Sequence, residues 1–225
     1  MNKLLEIACF NLESALLAQS AGADRIELCE NYKEGGTTPS ENLILDARQN
    51  ISIPIYVIIR PRGGNFIYRE SELNEMRKSI LFCKENKIDG VVFGILNIKS
   101  EVDEEICKEL IALAKPIQVT FHRAIDLCAF LKPEIDKLIS IGFNKLLSSG
   151  GKNTAIEGSD VLKELQKEFG AKITIMPGGR IRSGNISEII NTTKCNEFHS
   201  AAITGNNDIA DINEIKALRK ILSSC

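Results

Sequence analysis

The feature that most constrains this chain is an alternation repeated along its whole length. A short run rich in β-branched residues is followed by a longer run with helical spacing of its apolar residues, and then the pattern begins again. The strand-like runs are 4–10, 25–30, 54–60, 90–96, 117–123, 145–149, 172–177 and 197–202. The helix-like runs fall near 13–21, 40–49, 71–87, 103–114, 133–141, 159–169, 185–193 and 212–223. Strand starts lie 21 to 36 residues apart, which is one βα unit each time. Parallel strands need a crossover, so this alternation predicts a parallel sheet clothed in helices. Eight units in 225 residues predict a single α/β domain over 1–225, closed as a (β/α)8 TIM barrel. The rival is a doubly wound open sheet, whose dinucleotide-binding form carries GxGxxG after the first strand. Here the first strand is followed by NLES, without glycine.

Helix punctuation agrees with the count. Ser40, Ser71, Asp103, Ser159 and Asn185 stand where N-caps belong, and Gly22, Asn86, Gly142 and Gly170 follow helix-like runs. The 28 basic and 30 acidic residues nearly balance, and no basic block stands out, so neither nucleic-acid nor membrane-surface binding is expected. The longest apolar run, around 53–59, is far short of a membrane span, and the first ten residues read as a strand rather than a signal peptide. Seven cysteines at 9, 29, 83, 107, 128, 195 and 225 form no CxxC pair, which points to free thiols and a reducing cytoplasm.

Parity along the strands then assigns faces. One face of each barrel strand points into the lumen and the other meets the helices. The apolar set Leu5, Ile7 and Cys9 must face the helices, so Glu6 and Ala8 face inward. The same alternation turns Arg25, Glu27 and Cys29 inward from the second run, with Tyr56, Ile58 and Arg60 from the third. The fifth contributes Gln118, Thr120 and His122, and the eighth contributes Glu197, His199 and Ala201. Burying one unpaired charge costs several kcal/mol or forces a pKa change, so these groups must pair, bind something, or both. Neutralisation of Glu6 and Glu27 by Arg60 would make a structural plug. Both histidines of the chain, His122 and His199, fall near strand C-terminal ends, where barrel active sites are built. Either could act as acid or base, Glu27 or Glu6 could share a proton, and Asp126 follows one turn after His122.

Glycine pairs mark the same end of the barrel. Arg60-Pro61-Arg62-Gly63-Gly64 offers two guanidinium forks beside accessible backbone N–H groups, an expected anion clamp. Ser148-Ser149-Gly150-Gly151 and Pro177-Gly178-Gly179-Arg180 close the sixth and seventh strands. Phosphates often sit after barrel strands 7 and 8. Together these pieces point to a small anionic or phosphorylated ligand held by Arg60, Arg62, Arg123, Ser149, Gly178 and Gly179. Copper(I) prefers thiolate or thioether ligands, for which Cys29 and Cys9 are the candidates, although parity sets them on opposite faces.

The segments LEIAC, ADRIELCENYKEGGTTPS, IPIYVIIRPRGGNF, VTFHRAID, LLSSGG, IMPGGRI and NEFHSAA, in this order, resemble the CutC family of copper homeostasis proteins. The resemblance covers about residues 5–202. It implies a cytoplasmic TIM barrel, often a homodimer, with a role in copper tolerance or Cu(I) binding. The motif residues map to Glu6, Glu27, Cys29, Arg60, Arg62, His122, Arg123, Asp126 and His199. Two positions depart from the family pattern: Arg180 stands where a third glycine is usual, and Ala201-Ala202-Ile203 replaces a sequence with a basic residue. The residues themselves keep a different class open, a lyase, isomerase or hydrolase acting on a small anionic, sugar-like molecule. A binding protein using the same pocket without chemistry is the third class.

Overall fold

A computed structural model describes residues 3–224. The chain alternates β1 (Leu4–Cys9), α1 (Leu12–Ser20), β2 (Arg25–Leu28), α2 (Glu41–Asn50), β3 (Ile55–Ile58), α3 (Glu70–Glu85), β4 (Gly90–Phe93) and α4 (Glu104–Ala114). It continues with β5 (Gln118–Phe121), α5 (Leu131–Ile141), β6 (Lys145–Ser148), α6 (Ser159–Phe169), β7 (Thr174–Pro177), α7 (Ile186–Thr193), β8 (Glu197–Ser200) and α8 (Ile212–Ser223). All strand pairings are parallel, and the hydrogen-bonded order β7-β6-β5-β4-β3-β2-β1-β8 curls into the expected TIM barrel. The ladder is not continued between β7 and β8. There the wall closes by packing: a Cβ on Gly178 would stand 2.4 Å from Leu147 Cδ1 and 3.4 Å from His199 Cβ.

The strands are shorter than their apolar runs. The third run, 54–60, contributes only Ile55–Ile58 to the ladder, and the fourth, 90–96, only Gly90–Phe93. Arg60, His122 and their neighbours therefore stand at the rim, where the chain leaves the sheet and its backbone is free to turn. Capping also differs in part. Asp103 accepts from the Ile106 N–H as expected, but Ser40 turns away to Glu30, and α3 begins before Ser71, where Glu72 takes the Arg69 N–H. Gly22 and Gly142 are left-handed, whereas Gly170 is not, because its φ of −60° continues the helix.

Two apolar zones result. The large one lies between sheet and helices and holds Leu5, Ile7, Cys9, Ile26, Leu28, Val57, Phe93 and Phe121. A small one lies inside the barrel near its mouth, formed by Ala8, Phe10, Cys29, Ile58 and Ile203. Parity thus sorts β1, β2 and β3 as their alternation predicts. No helix of the described residues is long and apolar enough to cross a membrane.

Candidate functional site

The lower lumen is filled by one connected ion network. The Arg25 guanidinium bonds to Glu6 through Nε and to Glu197 through Nη2, the latter at 2.8 Å. Lys145 Nζ reaches the other Glu197 oxygen at 2.6 Å. Arg25 also lies over the Tyr56 ring, 4.7 Å from its centroid. Arg25 and Glu6 are almost fully buried, and each charge has its counterpart. Burial pushes Glu6 up, but Arg25 and the His199 hydrogen bond outweigh it and hold the carboxyl at about 2.

The network hands over to the upper lumen through His199. Its Nδ1 is 2.7 Å from Glu6 Oε1, and its Nε2 is 3.8 Å from Glu27 Oε2. With Glu6 ionised, Nδ1 must carry a proton to donate. Burial disfavours the imidazolium, yet Glu6 and Glu27 together raise the His199 pKa above its ordinary value. Glu27 behaves oppositely. Burial, helped by the Glu6 charge and opposed by His199, lifts it to about 7. A carboxyl poised there can give or take a proton near neutrality.

Above this pair opens a cavity of about 260 Å³, lined among others by Glu27, Cys29, Arg60, Phe66, His122 and His199. Its rim carries Arg123, Gly179, Arg180 and Arg182. His122 is buried against Phe66, ring centroids 4.7 Å apart. It fits because position 94 is glycine: a Cβ there would stand 2.5 Å from His122 Nδ1. Burial first, then the Arg60 charge, push the His122 pKa down to about 3, so the ring is neutral at physiological pH.

The expected anion clamp is not built as the sequence suggests. Arg60 does line the cavity, but its terminal nitrogens donate to the carbonyls of Glu34, Gly36 and Gly64. Arg62 lies outside the cavity. It pairs with Glu72 at 2.6 Å, donates to the carbonyls of Gly63, Asn65 and Ile67, and stacks on Tyr68. The RPRGG segment spends its guanidinium groups on shaping its own loop and tying it to the loop after β2 and to α3. Asp126 likewise serves construction: it accepts from Ser148 Oγ and from the N–H groups of Ser149 and Gly151, and it pairs with Arg123 at 2.9 Å. Ser149 is held between Asp126 and Arg123. Asp126 and Ser149 do not line the cavity, nor does Gly178, which packs on Leu147 and His199.

The rim arginines take over the positive charge. Arg123 is anchored by Asp126 and Ser149 beside Gly179. Arg182 is partly committed to Ser200 Oγ and the Ile203 carbonyl. Arg180 is exposed, and its guanidinium has no partner among the described residues. Sequence reasoning missed Arg182 and Phe66 as site residues, because both sit in loops where strand parity says nothing.

The two candidate thiols lie on different sides of the barrel wall. Cys29 lines the cavity, whereas Cys9 belongs to the apolar layer under the helices, on the other side of the wall. Burial and the nearby Glu27 charge push both thiols well above their ordinary pKa, against thiolate formation. Among the described residues, no group of three or more His, Cys, Asp and Glu is arranged to hold a metal ion. Cys225 lies outside the described residues.

Comparison with known proteins follows the same chain order. The profile of the CutC family matches residues 3–204. A family protein CutC of Chromobacterium violaceum is 42% identical over 202 residues, covering 90% of this chain and 82% of that protein. The copper homeostasis protein cutC homolog of Homo sapiens is 40% identical over 199 residues, covering 88% of this chain and 73% of its own length. The crystal structure of a CutC protein from Streptococcus agalactiae superposes with a TM-score of 0.83 at 34% identity, covering 88% of this chain and 98% of that one. Phosphoribosyl anthranilate isomerase of Thermotoga maritima reaches a TM-score of 0.67 at 14% identity, over 99% of this chain and 100% of that one, a likeness of fold alone.

Proposed function

This chain belongs to the CutC family, and from that membership we propose that it serves copper homeostasis, as its named relatives do, through a pocket that binds a small anionic organic molecule and does acid–base chemistry on it. The observation that carries the reading is the stacking of unlike groups along one axis. A charge-balanced plug lies below, Glu27 is poised near neutrality beside His199, and three arginines ring the mouth. Glu27 is the proton carrier. His199, oriented by Glu6, sets its charge state. The rim arginines draw in and orient the anion.

Direct copper(I) binding is the finer part of the family's reputation, and the two candidate thiols do not converge on it. Copper enters this reading as the circumstance under which the protein matters, not as a ligand of Cys9 and Cys29. The six cysteines of the described residues are free and buried, which supports a cytoplasmic setting. A homodimer is part of the same proposal, on the family resemblance.

Calorimetric titration with inorganic phosphate and citrate tests the anion reading. Wild type should bind at least one of them, and Arg180→Ala should weaken that binding by roughly tenfold, the value of one charge-assisted hydrogen bond. Absence of binding by either anion sinks the reading. In parallel, anaerobic Cu(I) titration against a bathocuproine-type competitor should give the same result for wild type, Cys9→Ser and Cys29→Ser. A large loss of affinity in both variants would restore the thiolate site.

A further inference from the structure

Two buried polar atoms of the cavity-lining residues have no partner, Arg60 Nε and His122 Nε2, and the second belongs to a ring whose other nitrogen is engaged. His122 is 5% exposed. Its Nδ1 accepts the Ala124 backbone N–H at 3.3 Å, so the proton of the neutral ring must sit on Nε2. That Nε2–H meets no acceptor in the protein. Leaving a buried donor unmade is costly, and native structures seldom tolerate it without a purpose. The ring is not loose: Phe66 packs on it at a tilt, the Phe121 ring lies edge-on with its centroid 6.0 Å away, and Gly94 leaves the space it occupies. Arg60, 4.9 Å from the Phe66 centroid on the same wall, is the charged neighbour, and it discourages protonation. A donor fixed in direction, kept neutral and left unpaired is prepared for an acceptor atom that comes with the ligand.

We propose that His122 Nε2–H polarises a carbonyl oxygen of the bound anion while Glu27 moves the proton on the neighbouring carbon, so that the site handles small anionic carbonyl compounds of the hydroxy-aldehyde or hydroxy-ketone class. This deepens the acid–base reading above and rests on it. In the step, the Glu27 carboxylate takes a proton from the carbon beside the carbonyl. The C–H electron pair forms a carbon–carbon double bond, the carbonyl π pair moves to oxygen, and the Nε2–H holds that oxygen's charge. Glu27 then returns a proton to carbon, restoring its carboxylate, so no other reactant is consumed. A neutral imidazole suits the role, because its N–H can stabilise an enolate oxygen without giving the proton away.

The test uses the full chain labelled with 15N and two probes, inorganic phosphate and phosphoglycolohydroxamate, whose planar hydroxamate imitates the enediolate. Long-range proton–nitrogen spectra should show the His122 ring protonated at Nε2 alone and unchanged between about pH 5 and 8. The Nε2–H signal should shift when the hydroxamate binds. The hydroxamate should bind roughly tenfold or more tightly than phosphate, one good hydrogen bond apart. His122→Phe, which keeps a ring beside Phe66, should erase that preference, read as the ratio of hydroxamate to phosphate affinity within the same variant. If His122 titrates in this range, or carries its proton on Nδ1, the proposal falls whatever the variant does. If phosphate binds and the hydroxamate binds no better, the carbonyl role is wrong while the anion reading stands. If neither binds, both readings fall together.

Discussion

The lower and upper halves of the lumen are both polar, yet they are opposites. Below, Glu6, Arg25, Glu197 and Lys145 pair with one another and with His199, and none of the four has a polar side-chain atom buried without a partner. Above, His122 Nε2 and Arg60 Nε are buried without partners, and the Arg180 guanidinium extends free at the rim. Both halves are built by the barrel strands and the residues that follow them, and both bury charged groups, so burial of charge does not by itself distinguish a plug from a site. Completeness does. A finished network supports the barrel, whereas an unfinished one waits for a ligand.

Breaking the finished half should give the largest effect. Arg25→Met preserves volume but leaves Glu6 and Glu197 facing each other with only Lys145 and His199 to answer them. Removing one partner of a buried ionic group costs about 3–5 kcal/mol. For a chain of this size that corresponds to a fall in Tm of roughly 10 °C. Arg180→Ala, which removes no contact within the fold, should leave the Tm nearly unchanged. Thermal unfolding of the two variants side by side checks this. Equal losses would erase the distinction between the halves.

The boundary between them should be visible in pH dependence. Glu27 is lifted from about 4.5 in the unfolded chain to about 7 in the fold, so the folded state holds its proton more tightly. Its contribution is therefore fully present below 4.5 and is lost as pH rises through 7. Glu27→Gln cannot ionise and escapes that loss. It should match wild type near pH 4 and exceed it by up to about 3 kcal/mol near pH 8. Glu6 has the opposite sign: its stabilisation is present above 4.5 and lost as pH falls toward 2. Urea midpoints measured across pH should thus show wild type losing stability at both ends, with Glu27→Gln repairing only the alkaline one. A variant whose advantage does not grow with pH would place Glu27 outside the low-dielectric part of the lumen.

Alternation made the barrel and the inward set legible, because a period of two leaves little choice once one face must meet helices. Glu6, Glu27, Cys29, Arg60, His122 and His199 were all readable in this way. The loops were not. Arg62 and Asp126 have the residue types of a ligand site, but each is consumed locally, by Glu72 and loop carbonyls in one case and by Ser148, Ser149 and Gly151 in the other. Whether a guanidinium faces a ligand or its own loop depends on turn geometry that residue spacing does not encode. Arg182 shows the converse. It follows Arg180 by two residues in GGRIR, a signal that was present but indistinguishable from a solvated loop charge.

The smallest expected effect is also the sharpest on the open half. Arg180 holds φ at 56°, a left-handed backbone that costs a side-chain-bearing residue about 1 kcal/mol. An arginine here is therefore held against the local preference of the backbone. Arg180→Gly relieves the strain but gives the unfolded chain more freedom, so the net gain should be no more than about 0.5 kcal/mol. The same change should lower affinity for inorganic phosphate by roughly tenfold, as Arg180→Ala does. Comparing the glycine and alanine variants separates backbone from charge: both lose the guanidinium, but only glycine relaxes the turn. Slightly raised stability with lost affinity would mean that Arg180 is kept for a ligand. A loss of stability in both variants would mean that its side chain holds the β7 loop, and would move it to the company of Arg25.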